Sequence, residues 1–294
     1  MTGQWRLELF FKSKPELQDR IIPFLKESGI KHINLTNKTK EDDLLGSCRR
    51  ILRAVPGTDV CAHYSLKWNY HTNVERSYEA FRTFCTDMAA LDGRAAVMLV
   101  SGGGKKRKLD TIGALEMAQK DKSFPKHLPL YVCYNPYFPN NADLAAERHR
   151  LEQKLKHGNG LITGIYLQMG TDLKRLDDGL NFLRETASKQ APGDGSGNVE
   201  LLGSIFLPTK RLLAQMKYRP WNGVFLSDKY LNGVEAAESI TGAILKLYKR
   251  YGVQPLVESS ISSAAELRRC HSLLEQAACS VPGMCQAGDS SPVH

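Results

Sequence analysis

Four groups of residues in this 294-residue chain have types and spacings that could do chemistry. Glu8 interrupts the apolar run LELFF. A carboxylate inside a strand is costly unless bonded or paired, and burial raises its pKa toward that of a general acid at neutral pH. Strand alternation leaves two placements open: Glu8 turned inward, or turned outward and ion-paired with a helix. His63 lies in the apolar segment VCAHYSL. Position alone favours a satisfied core histidine, and the functional alternative is a hydrogen bond to a polar cofactor edge. Residues 101–108 read SGGGKKRK. Glycines let backbone amides approach an anion, and four cations and a following helix N-terminus would favour a phosphate or polycarboxylate. The alternative is a solvated basic loop, since the segment is neither a Walker loop nor GxGxxG. Residues 134–140 read YNPYFPN. Tyr134, Tyr137 and Phe138 would suit stacking on a flat ring, or simple loop packing.

The elements that must position these residues alternate between two periods. Strand-like runs are Trp5–Phe11, Lys31–Thr36, Asp59–Leu66, Ala95–Ser101, Leu128–Tyr134, Leu161–Leu167, Val199–Phe206 and Gln254–Glu258. Helical spacing covers Pro15–Ser28, Lys40–Val55, Val74–Leu91, Leu109–Gln119, Asp143–Lys156, Asp172–Ser188, Thr209–Met216, Val234–Tyr251 and Ser262–Ala277. The stretch Lys217–Tyr230 reads as irregular and Ala191–Asn198 as a flexible loop. A crossover helix between successive strands makes them parallel, and closing the sheet removes its edges. The fold class is therefore α/β, a single-domain (β/α)8 TIM barrel over residues 1–278, with a frayed tail over 279–294. In such barrels chemistry sits at the C-terminal strand ends. That rule selects Glu8, Thr36, His63, Ser101–Gly104, Tyr134–Asn135, Gly164, Tyr166, Phe206, Pro208 and Glu258.

Composition narrows the classes. Hydrophobic residues at 42% allow a sizeable core. No apolar run approaches the ~20 residues of a membrane span, and the N-terminus has no signal-peptide pattern. Seven cysteines without CxxC spacing read as reduced thiols in a reducing compartment, not as a metal site or disulfide framework. The net charge of +9 suits an anionic partner, but no nucleic-acid-binding motif accompanies it.

Taken in order, these segments resemble the catalytic domain of methylenetetrahydrofolate reductase, a flavin-binding barrel, from Arg6 to about Leu274. LELFF is similar to the family's FEFFPP and places Glu8 on its proton-donating glutamate, although Phe11-Lys12 replaces the double proline. HINLT places Thr36, and VCAHYSL places His63, on residues near the flavin. YNPYFPN resembles AYPxxHP, which puts Tyr134 on a flavin-contacting tyrosine, Pro139 on the second proline and Phe138 in place of the family's histidine. LEQKLKHGNGLITGIYL resembles LKxKxxAGAxFxITQxFF, with Lys154 on a lysine near the flavin phosphate. GSIFLP is similar to the GIxP turn after strand 7, and RYGVQPLVESS to the closing REGVxxxHFYTLN. Two departures fall on folate contacts. The family's RGD is Ser101-Gly102-Gly103 here, and its ITQ is Ile162-Thr163-Gly164.

The resemblance implies an FAD-dependent oxidoreductase of one-carbon metabolism and methionine biosynthesis, with NADH or NADPH as reductant and a folate-like or other anionic substrate. It implies Glu8 as catalytic acid and Thr36, His63, Ser101, Gly102, Gly103, Tyr134 and Lys154 as cofactor-binding residues. The location expected is cytoplasmic, with mitochondrial as the alternative. The rival expectation is a catalytically degenerate barrel serving as a structural subunit or binding module in a larger complex; the assemblies expected are a homo-oligomer or a subunit of such a complex.

Overall fold

A computed structural model describes residues 4–102, 108–190, 199–261 and 263–279. Its frame is a closed barrel of eight parallel strands in chain order. The strands are β1 Arg6–Leu9, β2 His32–Thr36, β3 Asp59–Ser65, β4 Arg94–Val100, β5 Leu130–Tyr134, β6 Ile162–Leu167, β7 Glu200–Ile205 and β8 Gln254–Val257. Pairing of β1 with β8, Leu7 beside Val257, closes the ring.

Strand alternation sorts the side chains into two layers. Leu7, Leu9, Ile33, Leu35, Val97, Leu99, Val132 and Tyr134 face outward into the main core against the helices. Cys61, Ala96, Met98, Tyr131, Tyr166, Leu202 and Leu256 form a separate cluster inside the barrel. The polar residues Arg6, Glu8, Asn34, His63 and Ser204 share the inward parity and are also buried. A bulge between Leu130 and Tyr131 sets Gly164, not Thr163, opposite Tyr131. It puts Gly164 and Tyr166 on the inner face.

The helices are α1 Lys14–Glu16, α2 Ile22–Ser28, α3 Leu44–Ala54, α4 Val74–Ala89, α5 Thr111–Lys120, α6 Asn141–His157, α7 Leu173–Gln190, α8 Lys210–Tyr218, α9 Asp228–Leu231, α10 Val234–Tyr251 and α11 Ala264–Cys279. The helix expected over Pro15–Ser28 is divided: a π-helical turn, Leu17–Ile21, joins α1 to α2. Pro23 has no N–H to donate, and its ring crowds the preceding turn, so a widened turn is accommodated there. The helix expected from Lys40 begins at Leu44 because Asp43 caps it, accepting from Gly46 N at 3.0 Å. The stretch read as irregular contains α9, capped by Ser227. The last helix runs to Cys279, one residue into the segment assigned to the tail. The rest of that tail and the loop 191–198 lie outside the described residues. Cys48, Cys61, Cys85, Cys133 and Cys270 are all unpaired thiols. Among the described residues no helix is long and apolar enough to cross a membrane.

Candidate functional site at the mouth of the barrel

A chain of polar groups climbs the barrel interior from floor to mouth. At the floor Arg6 grips Asp59, with Nη1 to Oδ2 and Nη2 to Oδ1 each 3.1 Å. Its Nη2 also donates to Ile33 O at 2.9 Å and its Nε to Asn34 Oδ1 at 2.7 Å. Asn34, fully buried, holds Tyr166 OH through its Nδ2 at 2.9 Å. The same Nδ2 lies 2.7 Å from His63 Nε2. His63 Nδ1 in turn lies 3.8 Å from Glu8 Oε2.

The chemistry of the donors fixes the tautomer of His63. Arginine only donates, so Asn34 must present its oxygen to Arg6 and its amide N–H to His63. His63 Nε2 is then the acceptor, and the ring proton is on Nδ1, facing Glu8. Burial, with the nearby charges of Arg6 and Lys38, pushes the His63 pKa down to about 3, so the ring is neutral.

Glu8 points inward, which resolves the two placements its sequence left open. It is 7% exposed, and no hydrogen bond from a described residue reaches it. Burial holds its carboxyl well above the ordinary glutamate range, the charge of Glu258 adds to this, and Lys38 opposes it. Glu258 follows β8 and accepts a hydrogen bond from Ser204 Oγ. Its own pKa is raised by burial against that bond. Lys38, from the loop after β2, lies with Nζ 3.9 Å from the Phe10 ring centroid. Burial lowers its pKa, while Glu8 and Asp42 hold it up. Thr36, at the end of β2, has a buried hydroxyl with no hydrogen-bond partner. The mouth thus gathers a carboxyl held well above the ordinary glutamate range, a neutral imidazole, an orphaned hydroxyl and the ammonium of the exposed Lys38. Such a set fits a polar heterocycle that accepts a proton or a hydrogen bond and has an anionic edge.

Three of the residues expected from the sequence, Glu8, Thr36 and His63, come together here. Others do not. Tyr134 faces the helical layer, its ring centroid 6.0 Å from that of Phe182, because Tyr131 and Cys133 take the inward positions of β5. Lys154 donates from Nζ to Cys133 O at 2.7 Å, tying α6 to β5. Tyr137 is buried under Gly170 and Phe138 packs on Phe225, so YNPYFPN is loop packing and not an open stacking surface. Ser101 Oγ lies 2.6 Å from Thr111 Oγ1 and accepts from Thr111 N. Asp110 accepts from Gly113 N at 2.8 Å. These side chains occupy amide N–H groups at the start of α5 that the anion reading assumed to be open. Gly102 takes φ +73° and packs where a Cβ would lie 2.7 Å from Lys67 Cβ, which is a position for glycine. Gly103 and the cations at 105–107 lie outside the described residues. Gly164 is covered: a Cβ there would lie 2.3 Å from the Tyr131 ring.

The resemblance gave no role to Arg6, Asn34, Lys38 or Glu258. Arg6 and Glu8 stand two apart in an apolar run, and Asn34 stands between apolar neighbours, which is the signal for inward polar positions. No spacing marks Lys38, which reaches the mouth from a loop.

No family model matches this chain, and no curated protein matches it. Solved structures share its fold. One is an uncharacterized protein from Clostridium thermocellum that binds two copies of 5-methyl-5,6,7,8-tetrahydrofolic acid (TM-score 0.62, 13% identity, 92% of each chain covered). Another is active domain 2 of a thermostable chitinase from Pyrococcus furiosus (TM-score 0.51, 11% identity, 94% of each chain). At these identities the likeness is one of fold.

Proposed function

We propose that the barrel mouth binds a reduced folate-like heterocycle and that Glu8 is the acid facing its ring. The observation that carries this reading is a buried carboxyl without a hydrogen-bond partner among the described residues, beside a histidine held neutral. A neutral acid can donate a hydrogen bond to a ring nitrogen, or protonate a nitrogen that leaves, where a carboxylate can do neither. Thr36 and Lys38 would meet the polar and anionic edges. The folate-binding barrel from Clostridium thermocellum shows that a fold of this kind accommodates such a ligand.

The oxidoreductase reading of this acid is reduction of a folate-bound one-carbon unit, for which FAD would supply the electron transfer and NADH or NADPH the electrons. The residues meet a flavin halfway. Thr36 and His63 suit its ring edge, whereas Tyr134, Lys154 and Ser101 are committed to packing and internal hydrogen bonds, so the diphosphate half does not fit the described residues. That mismatch favours a second reading, a folate-binding module without turnover. Two measurements separate them: the absorbance of the purified protein titrated with FAD, and oxidation of NADH or NADPH in the presence of methylenetetrahydrofolate. Flavin uptake with turnover abolished in Glu8→Gln supports the oxidoreductase. Folate binding by a colourless protein that takes up no FAD supports the module.

A further inference from the structure

The register of β1 on β8 has a second consequence at the mouth. Arg6 pairs with Leu256 and Leu7 with Val257, so one residue further Glu8 stands beside Glu258. Adjacent strands are about 4.8 Å apart, and both side chains share the inward parity of Arg6 and Leu256. The two carboxyls are not equivalent. Ser204 on β7 donates to Glu258 Oε1, and a donated hydrogen bond favours the charged form. Glu8 receives no such bond from a described residue.

We propose that Glu8 and Glu258 work as one carboxyl–carboxylate pair, Glu258 holding the charge and Glu8 the proton. Glu258 is then a positioning residue that keeps the acid of the mouth loaded at neutral pH. Burial and mutual repulsion both raise Glu8 in this arrangement. The other groups facing the pair are Lys38 from the loop after β2 and His63 on β3. On the far side the Glu258 charge acts on Cys133 of β5 and Tyr248 of α10. Of these, Lys38 is the cation, and it faces Glu8 from the loop, so it tempers the repulsion without ending it. His63 is neutral and adds no charge.

The use of the pair as an acid rests on the proposed function. Glu8 transfers its proton to a ring nitrogen: the Glu8 O–H bond breaks and an N–H bond forms. Both carboxyls are then anionic, and their repulsion draws one proton from solvent back onto Glu8. Two neighbouring carboxyls that interact by more than about one pH unit titrate as a pair in two steps.

The test is read on the ligand-free full chain, so it stands apart from any failure to bind folate. Glutamate labelled with carbon-13 at the side-chain carboxyl is followed by NMR from pH 3 to 10. The expected result is that Glu8 is still protonated at pH 7 while Glu258 is ionised. Glu258→Gln lowers the Glu8 midpoint by one pH unit or more, and Glu258→Asp restores it. If Glu258→Gln does not fold, Ser204→Ala decides: the Glu258 midpoint rises and that of Glu8 falls. A Glu8 midpoint within the ordinary glutamate range, or one that neither Glu258→Gln nor Ser204→Ala moves, overturns the proposal.

Discussion

Arg6 donates from Nε to Asn34 Oδ1 at 2.7 Å, and this bond sets the tautomer of a histidine one layer above it. Were Asn34 turned over, its oxygen would face His63 Nε2 and require a proton there, leaving Nδ1 bare toward Glu8. A cation on the floor thus controls what the mouth presents. Nitrogen-15 NMR of His63 should show a protonated Nδ1 and a bare Nε2 at pH 7. In Asn34→Ala that preference should be lost.

The floor itself should be costly to break. Arg6 is 2% exposed and is bound on both sides of its guanidinium, to Asp59 and to Asn34. Arg6→Met leaves Asp59 with His32 Nδ1 alone, at 3.3 Å, and takes the Arg6 donor from the buried Asn34 Oδ1, and it should cost about 3 kcal/mol in denaturant unfolding. A loss below 1 kcal/mol would show that the ladder is not organised around Arg6.

His63 predicts the acid side of the stability profile. Its folded pKa of about 3 lies below the ordinary histidine value of 6.5, so between those values the unfolded chain binds the extra proton. Its contribution is complete above pH 6.5 and is lost as the pH falls toward 3, at up to about 1.4 kcal/mol per pH unit. Glu8 and Glu258 have the opposite sign, since raised carboxyls stabilise the fold below the ordinary glutamate range and less as the pH rises through their folded pKa values. Stability measured against pH in His63→Gln should lose the acid-side slope, and in Glu8→Gln the alkaline-side decline.

Gly164 offers a steric test. A Cβ there would lie 2.3 Å from the Tyr131 ring and 2.9 Å from Glu200 O. Tyr131 is itself held by Glu200 Oε2 at 2.8 Å, so it yields poorly. Gly164→Ala should destabilise by about 1–3 kcal/mol, and Gly164→Gln should not create a ligand contact at the mouth.

The fold was legible because eight alternations of strand and helix leave few ways to bury both periods, and the closed ring follows from them. Glu8, Thr36 and His63 were legible because an inward polar residue in an apolar strand stands out. What the pattern could not supply was parity along β5, where Tyr134 falls on the outer face, or the competition for side chains at the start of α5 and on α6. Ser101 and Lys154 have the chemistry of anion ligands but are committed to Thr111 N and Cys133 O. Glu258 was visible only as a strand end, since its neighbour Glu8 lies some 250 positions away in sequence and is joined to it by barrel closure alone.

A calorimetric titration of 5-methyltetrahydrofolate into the protein at pH 7 bears most directly on the central claim. Wild type should bind saturably, Glu8→Gln should retain binding because an amide still donates, and Glu8→Ala should weaken it tenfold or more, about 1.4 kcal/mol. No binding by wild type, or equal binding by all three proteins, would contradict the placement of the ligand against Glu8.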